Sequence, residues 1–159
     1  MFQQKQFFLK HLFAIILCLL ALKINAQRAF FSPDTTLNKI KVGLVAGSSA
    51  AIFTGALLVL NQYWYKDYPR SKFHFFNDGR EWQGIDKAGH VYNAYVQSRW
   101  SVGMYRWAGL KDKQAIWAGG ATGIFLQSSI EILDGFSEEW GYSWWDFAAN
   151  TMGSAIVVG

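Results

Sequence analysis

Residues 114–134 read QAIWAGGATGIFLQSSIEILD, and the spacing inside that run decides the fold. Ala115, Gly119 and Gly123 recur at every fourth position, which sets them on one face of an α-helix and lets a neighbouring helix settle closely against it. The stripe continues through Gln127 to Glu131, and Asp134 follows three residues later. The packing face therefore turns acidic toward its end, so these acids are directed at protein and not at lipid.

Working outward, Lys111-Asp112-Lys113 separates this helix from an earlier one expected over 86–110, where Asp86, His90, Asn93 and Gln97 step by four, three and four along one face. On the other side, 135–142 reads as a loop. Ser143 with Asp146 three residues on is then a capping signature for a last helix over 144–159, with Asp146, Asn150 and Gly153 sharing a face. Residues 61–85 hold Tyr68-Pro69-Arg70, Asn77-Asp78-Gly79-Arg80 and many aromatics, and the Pro and Asp-Gly signals argue for a loop.

Residues 42–60 carry no charge, and Gly43, Gly47, Ala51 and Gly55 repeat the four-residue device. The run is long enough to cross a bilayer, and Tyr63, Trp64 and Tyr65 follow it as an interfacial belt would, so it reads as a transmembrane helix. The alternative is a buried helix, because Ser48, Ser49 and Thr54 dilute it. Residues 27–41 form a polar leader with the turn Ser32-Pro33-Asp34-Thr35-Thr36.

Residues 1–26 read as a secretory signal peptide: Lys5 and Lys10 precede a short apolar run, and Ala26 offers a small residue for cleavage. Its removal takes Lys5, Lys10 and Lys23, so the formal charge falls from +4 to about +1 and no dense basic patch remains to track nucleic acid. Cys18, the single cysteine, lies in the apolar run behind Ile15, Ile16 and Leu17, which do not make a lipid-attachment motif. About 130 residues are left, enough for one helical domain over 42–159.

Three helices thus carry polar groups along single faces, and burying a charge without a partner costs several kcal/mol, so the faces are expected to converge. The candidate site residues are Asp86, Lys87, His90, Glu131, Asp134, Asp146 and Asn150. His90 with Asp86 one turn before it suits an oriented general base. His90, Glu131 and Asp134 are weaker candidates for a divalent metal, there being no tight ligand motif, and no other cofactor is implied. The competing reading is structural: Asp86 and Asp146 as helix-start carboxylates, Lys87 neutralising Glu131 or Asp134, and Asn150 tying two helices together.

The pattern Asp86-Lys87-x-x-His90, then Glu131-x-x-Asp134, then Gly141-x-Ser143-Trp144-x-Asp146-Phe147 with Gly153 beyond, resembles the YfiM-like family of predicted periplasmic lipoproteins, over residues 84–159. More loosely, the Asp-Lys-x-x-His helix and the Asp146 and Asn150 step are similar to VanZ-like membrane proteins. The first resemblance implies an envelope location and a helical hairpin core, and brings no activity. The positive charge at Lys66, Arg70, Lys72 and Arg80 outweighs Lys39 and Lys41, which favours the cytoplasm for that end and stands against a periplasmic label.

The expected fold is all-α, a small membrane-associated bundle of three to four helices. The expected protein is exported to the cell envelope, at the inner membrane or a periplasm-facing membrane, with a buried polar cluster of structural or ligand-binding role. Two alternatives stand beside it: an envelope lipid or glycan hydrolase or transferase using His90 with nearby carboxylates, and an assembly partner that binds another membrane protein through Gly43, Gly47, Ala51 and Gly55. The expected partners are the lipid membrane and such a protein, not nucleic acid.

Overall fold

The computed structural model describes residues 30–159, so the expected signal peptide and Cys18 lie outside the described residues. The chain divides into residues 1–33 and 34–159, and the second part holds four helices. In order they are α1 (Lys39–Tyr63), α2 (Ile85–Trp107), α3 (Asp112–Asp134) and α4 (Trp144–Val158). Among the described residues there is no named strand, only single bridges of Arg70 to Ser137 and Phe75 to Tyr142, and the architecture is a small all-α bundle.

The bundle of α2, α3 and α4 closes through glycine. A Cβ added at Gly119 would stand 2.6 Å from the Val102 nitrogen, one at Gly123 2.9 Å from the Ala94 carbonyl oxygen, and one at Gly153 2.2 Å from the Val91 carbonyl oxygen. Backbone meets backbone at all three positions, which no larger residue permits without moving a helix. Buried Ala94, Ala115 and Ala149 keep the same seams thin, and the Ser98 hydroxyl donates to Ser154 across one of them at 3.0 Å.

At the end of α2, Gly109 takes a φ of 82°, the left-handed conformation that glycine adopts without cost, and a Cβ there would lie 2.0 Å from the Thr36 carbonyl oxygen. That close approach brings in the start of α1. Asn38 caps α1 by accepting from the Ile40 and Lys41 nitrogens, and its own N–H donates to the Ala108 carbonyl at 2.9 Å. Lys41 is buried, paired with Asp34 at 3.1 Å and set 4.4 Å over the Trp107 ring. Helix α1 thus begins at Lys39, inside the stretch expected to be leader, because Asn38 supplies a cap there.

Beyond this anchorage α1 is nearly free of the bundle. Val45 is its last buried residue, and Leu44, Ile52, Leu58 and Val59 are exposed. A Cβ at Gly43, Gly47 or Gly55 would meet nothing within 4 Å. The small-residue stripe of α1 therefore packs against no described part of this chain, whereas the stripe of α3 is filled by α2 and α4.

Candidate functional site

The polar faces of α2, α3 and α4 meet at one end of the bundle. His90 from α2 places Nδ1 3.1 Å from Asn150 Oδ1 of α4 and 3.4 Å from Glu131 Oε1 of α3. On the other side of the ring, Nε2 stands 3.7 Å from Asp86 Oδ1 and 3.7 Å from Asp146 Oδ1. Glu131 and Asn150 are fully buried, Asp146 nearly so, and the Asp86 side chain is 43% exposed.

Lys87 departs from the role expected for it. Its ammonium lies 2.6 Å from Asp78, 2.9 Å from Asp86 and 2.7 Å from Asp146, and no ion pair joins it to Glu131 or Asp134. One residue beyond Asp86 on a helix points about 100° away, toward the 77–79 loop and the start of α4 instead of toward α3. Asn93 also leaves the cluster and is exposed. The buried seam of α2 runs through Ala94, Ser98, Ser101 and Val102, one position off the stripe that Asn93 would continue.

Two members were not singled out from the sequence. Asp78, in the 61–85 segment, is buried and accepts a 2.5 Å hydrogen bond from the Ser143 hydroxyl, which also caps α4 by accepting from the Asp146 nitrogen at 3.1 Å. Trp145 holds that loop in place, its indole N–H donating to Asn77 at 3.1 Å while its ring fills the space beside Gly79. Tyr65, expected in an interfacial belt, donates its hydroxyl to Asp134. The signal available for Asp78 was the Asp-Gly turn, which gives a loop and not its destination.

These environments spread the carboxyl groups apart. Burial, then the nearby charges of Asp146 and Asp134, pushes Glu131 up to about 9, so it carries its proton at neutral pH. Burial raises Asp134 to about 6, against the hydrogen bond from Tyr65. Burial and Asp78 raise Asp146 to about 6, with Lys87 opposing. Burial also acts on Asp78, but its bonds with Asp146, Lys87 and Ser143 outweigh it and hold that carboxyl below the ordinary range. Burial disfavours the Lys87 ammonium, yet Asp146, Asp78 and Asp86 more than compensate and raise its pKa.

A cleft of about 390 Å³ opens onto this cluster. Leu60 of α1, Trp64 and Tyr65 form one wall, with Trp140 stacked on Trp64 at 6.2 Å. Five of the described lining residues are acidic, Asp78, Glu81, Asp86, Asp134 and Asp146, and His90 is the one basic residue among them. Of the three residues expected to suit a metal, only His90 remains in a converging donor group: Asp86, His90 and Asp146 bring one ligand atom each within 4.8 Å of one another. Glu131 lies behind the ring at Nδ1, and Asp134 is turned to Tyr65.

No curated protein and no solved structure matches the chain. A family model does, over residues 74–158, a span that takes in Asp78 together with every polar residue contributed by α2, α3 and α4. By that match the chain belongs to the family described as predicted periplasmic lipoprotein (DUF2279), a family of exported, envelope-associated proteins of unknown function.

Proposed function

We propose that this is a membrane-anchored envelope protein whose cleft binds a cationic group at the membrane surface. The observation that carries this reading is the lining of the cleft, where five acidic side chains share one cavity with His90 and with Leu60 near the end of α1. An acidic, partly desolvated cavity gathers cations, since attraction grows as the local dielectric falls. The aromatic wall of Trp64, Tyr65 and Trp140 adds ring faces that favour positive charge.

Anchoring is supported by α1 itself. Its 25 residues span about 37 Å, more than the roughly 30 Å of a hydrocarbon core. It is the one helix among the described residues long and apolar enough to cross, and almost all of it is exposed. Tyr63 and Trp64 at its end suit the interface, which would put the cleft at headgroup level.

The test uses the full chain in detergent, following tryptophan fluorescence while ethanolamine, Mg²⁺ and Zn²⁺ are titrated separately. Saturation by at least one cation, abolished in Asp86→Asn, is the expected result; no saturation with any of them defeats the reading. A carbonate wash of membranes from expressing cells should leave the protein in the pellet, and release into the wash would remove the anchor.

One observation favours a second reading, a hydrolase or transferase acting on an envelope lipid or glycan. Asn150 holds Nδ1 of His90 from behind while Nε2 faces the cleft with Asp86 one turn before it, the arrangement of an oriented general base. His90→Gln in the source bacterium separates the two, because a catalytic His90 predicts lost function with an unchanged melting temperature.

A further inference from the structure

We propose that Asp86, His90 and Asp146 hold a divalent metal ion. This names the ligand of the acid-lined cleft and rests on that reading of it. On the far side of the imidazole, Nδ1 faces the Asn150 Oδ1 at 3.1 Å, an acceptor, so Nδ1 carries the hydrogen and donates it. The lone pair is thereby left on Nε2. Its polar neighbours are Asp86 Oδ1 and Asp146 Oδ1, each at 3.7 Å and too far for a hydrogen bond.

Three acceptors consequently point into one space with no hydrogen between them. The Lys87 ammonium, 2.7 Å from Asp146 Oδ1, eases their mutual repulsion at that oxygen, and a cation bound between the three would relieve it at all of them. Donors bound at about 2.1 Å to a common ion lie roughly 3.0 to 3.4 Å apart in octahedral or tetrahedral geometry, so the two 3.7 Å separations from Nε2 need to close by roughly 0.3 to 0.7 Å. Imidazole with two carboxylates suits zinc or manganese better than calcium or magnesium.

The surroundings match what a ligating histidine requires. Asn150 is fully buried and fixes the ring from behind, as outer-shell partners do. Glu131, also fully buried, turns an Oε1 without a hydrogen bond toward the same ring. Asp146 Oδ1 is buried too, and although Lys87 approaches it at 2.7 Å it makes no aligned hydrogen bond. Lys87 binds Asp86 through Oδ2, the oxygen that faces away from His90, and so leaves Oδ1 available.

The test is calorimetric titration of the full chain in detergent with Zn²⁺ and with Mn²⁺, after treatment with chelator. One ion per chain is expected, with binding weakened at least about tenfold in His90→Gln and in the half-exposed Asp86→Asn, and unchanged in His74→Gln. Asn150→Ala, which removes the positioning contact, should weaken binding about 10- to 100-fold while leaving the stoichiometry at one. Absence of binding, or binding undiminished in both His90→Gln and Asp86→Asn, overturns the assignment. If ethanolamine still saturates the cleft, only the metal falls. If neither ligand binds, the cationic-cleft reading falls with it.

Discussion

Replacing Glu131 by Gln should stabilise this protein, and the gain should depend on pH. The carboxyl ionises near 4.5 in an unfolded chain and near 9 in the fold. Below pH 4.5 both states are protonated and the group contributes no difference. As pH rises above 4.5 the unfolded chain releases its proton while the folded protein retains it, so stability falls by about 1.4 kcal/mol per pH unit until about pH 9. At pH 7 the accumulated cost is on the order of 3 kcal/mol, an upper bound because local relaxation reduces it. Gln has the same shape, cannot ionise in either state and so recovers most of that cost. Thermal melts of metal-free protein in a nonionic detergent, wild type against Glu131→Gln at pH 5 and pH 8, measure it. A clear rise in Tm at pH 8 with little change at pH 5 is expected. A loss of stability at pH 8, or an equal shift at both pH values, would show that Glu131 is ionised in the fold and refute the reasoning.

Gly153→Ala forces a methyl group into the Val91 carbonyl oxygen and should cost about 1 to 3 kcal/mol, read as a fall in the denaturation midpoint. Gly47→Leu projects into open space, so it should change the stability of the chain by less than about 0.5 kcal/mol. If the α1 stripe seats another membrane protein, the same change should dissolve that complex on native gels. Ser143→Ala removes both the α4 cap and the hydrogen bond to Asp78, and a loss of about 1 to 2 kcal/mol in melting experiments is expected.

The helices and the convergence of their polar faces were legible because both depend on local periodicity. A four-residue glycine repeat, a Ser-x-x-Asp cap and an Asp-x-x-x-His step place side chains on a helix face without reference to anything else in the chain. The α1 stripe marks the limit of such periodicity. Its repeat has the same form as the one in α3, yet it faces away from the bundle, since repetition fixes which residues share a face and not what lies opposite. Asp78 and Tyr65 were beyond reach for another reason. They come from aperiodic segments whose course is set by distant contacts, Phe75 beside Tyr142 and Arg70 beside Ser137. No spacing rule connects Asp78 to Ser143, 65 positions away.

The glycine seams and the polar cluster are one design, because short side chains bridge helices only where the backbones come close. Asn150 spans from α4 to His90 on α2, and Glu131 reaches the same ring from α3, with contacts of 3.1 and 3.4 Å. Gly123 and Gly153 lie two turns and one turn away from these residues along their helices, and each brings its helix against the α2 backbone. Wider spacing would draw Asn150 off Nδ1 and admit water beside Glu131, whose proton is retained chiefly by burial. The tautomer of His90, the protonation of Glu131 and the lone pair facing the cleft therefore share a single structural cause, the absence of side chains at the seams.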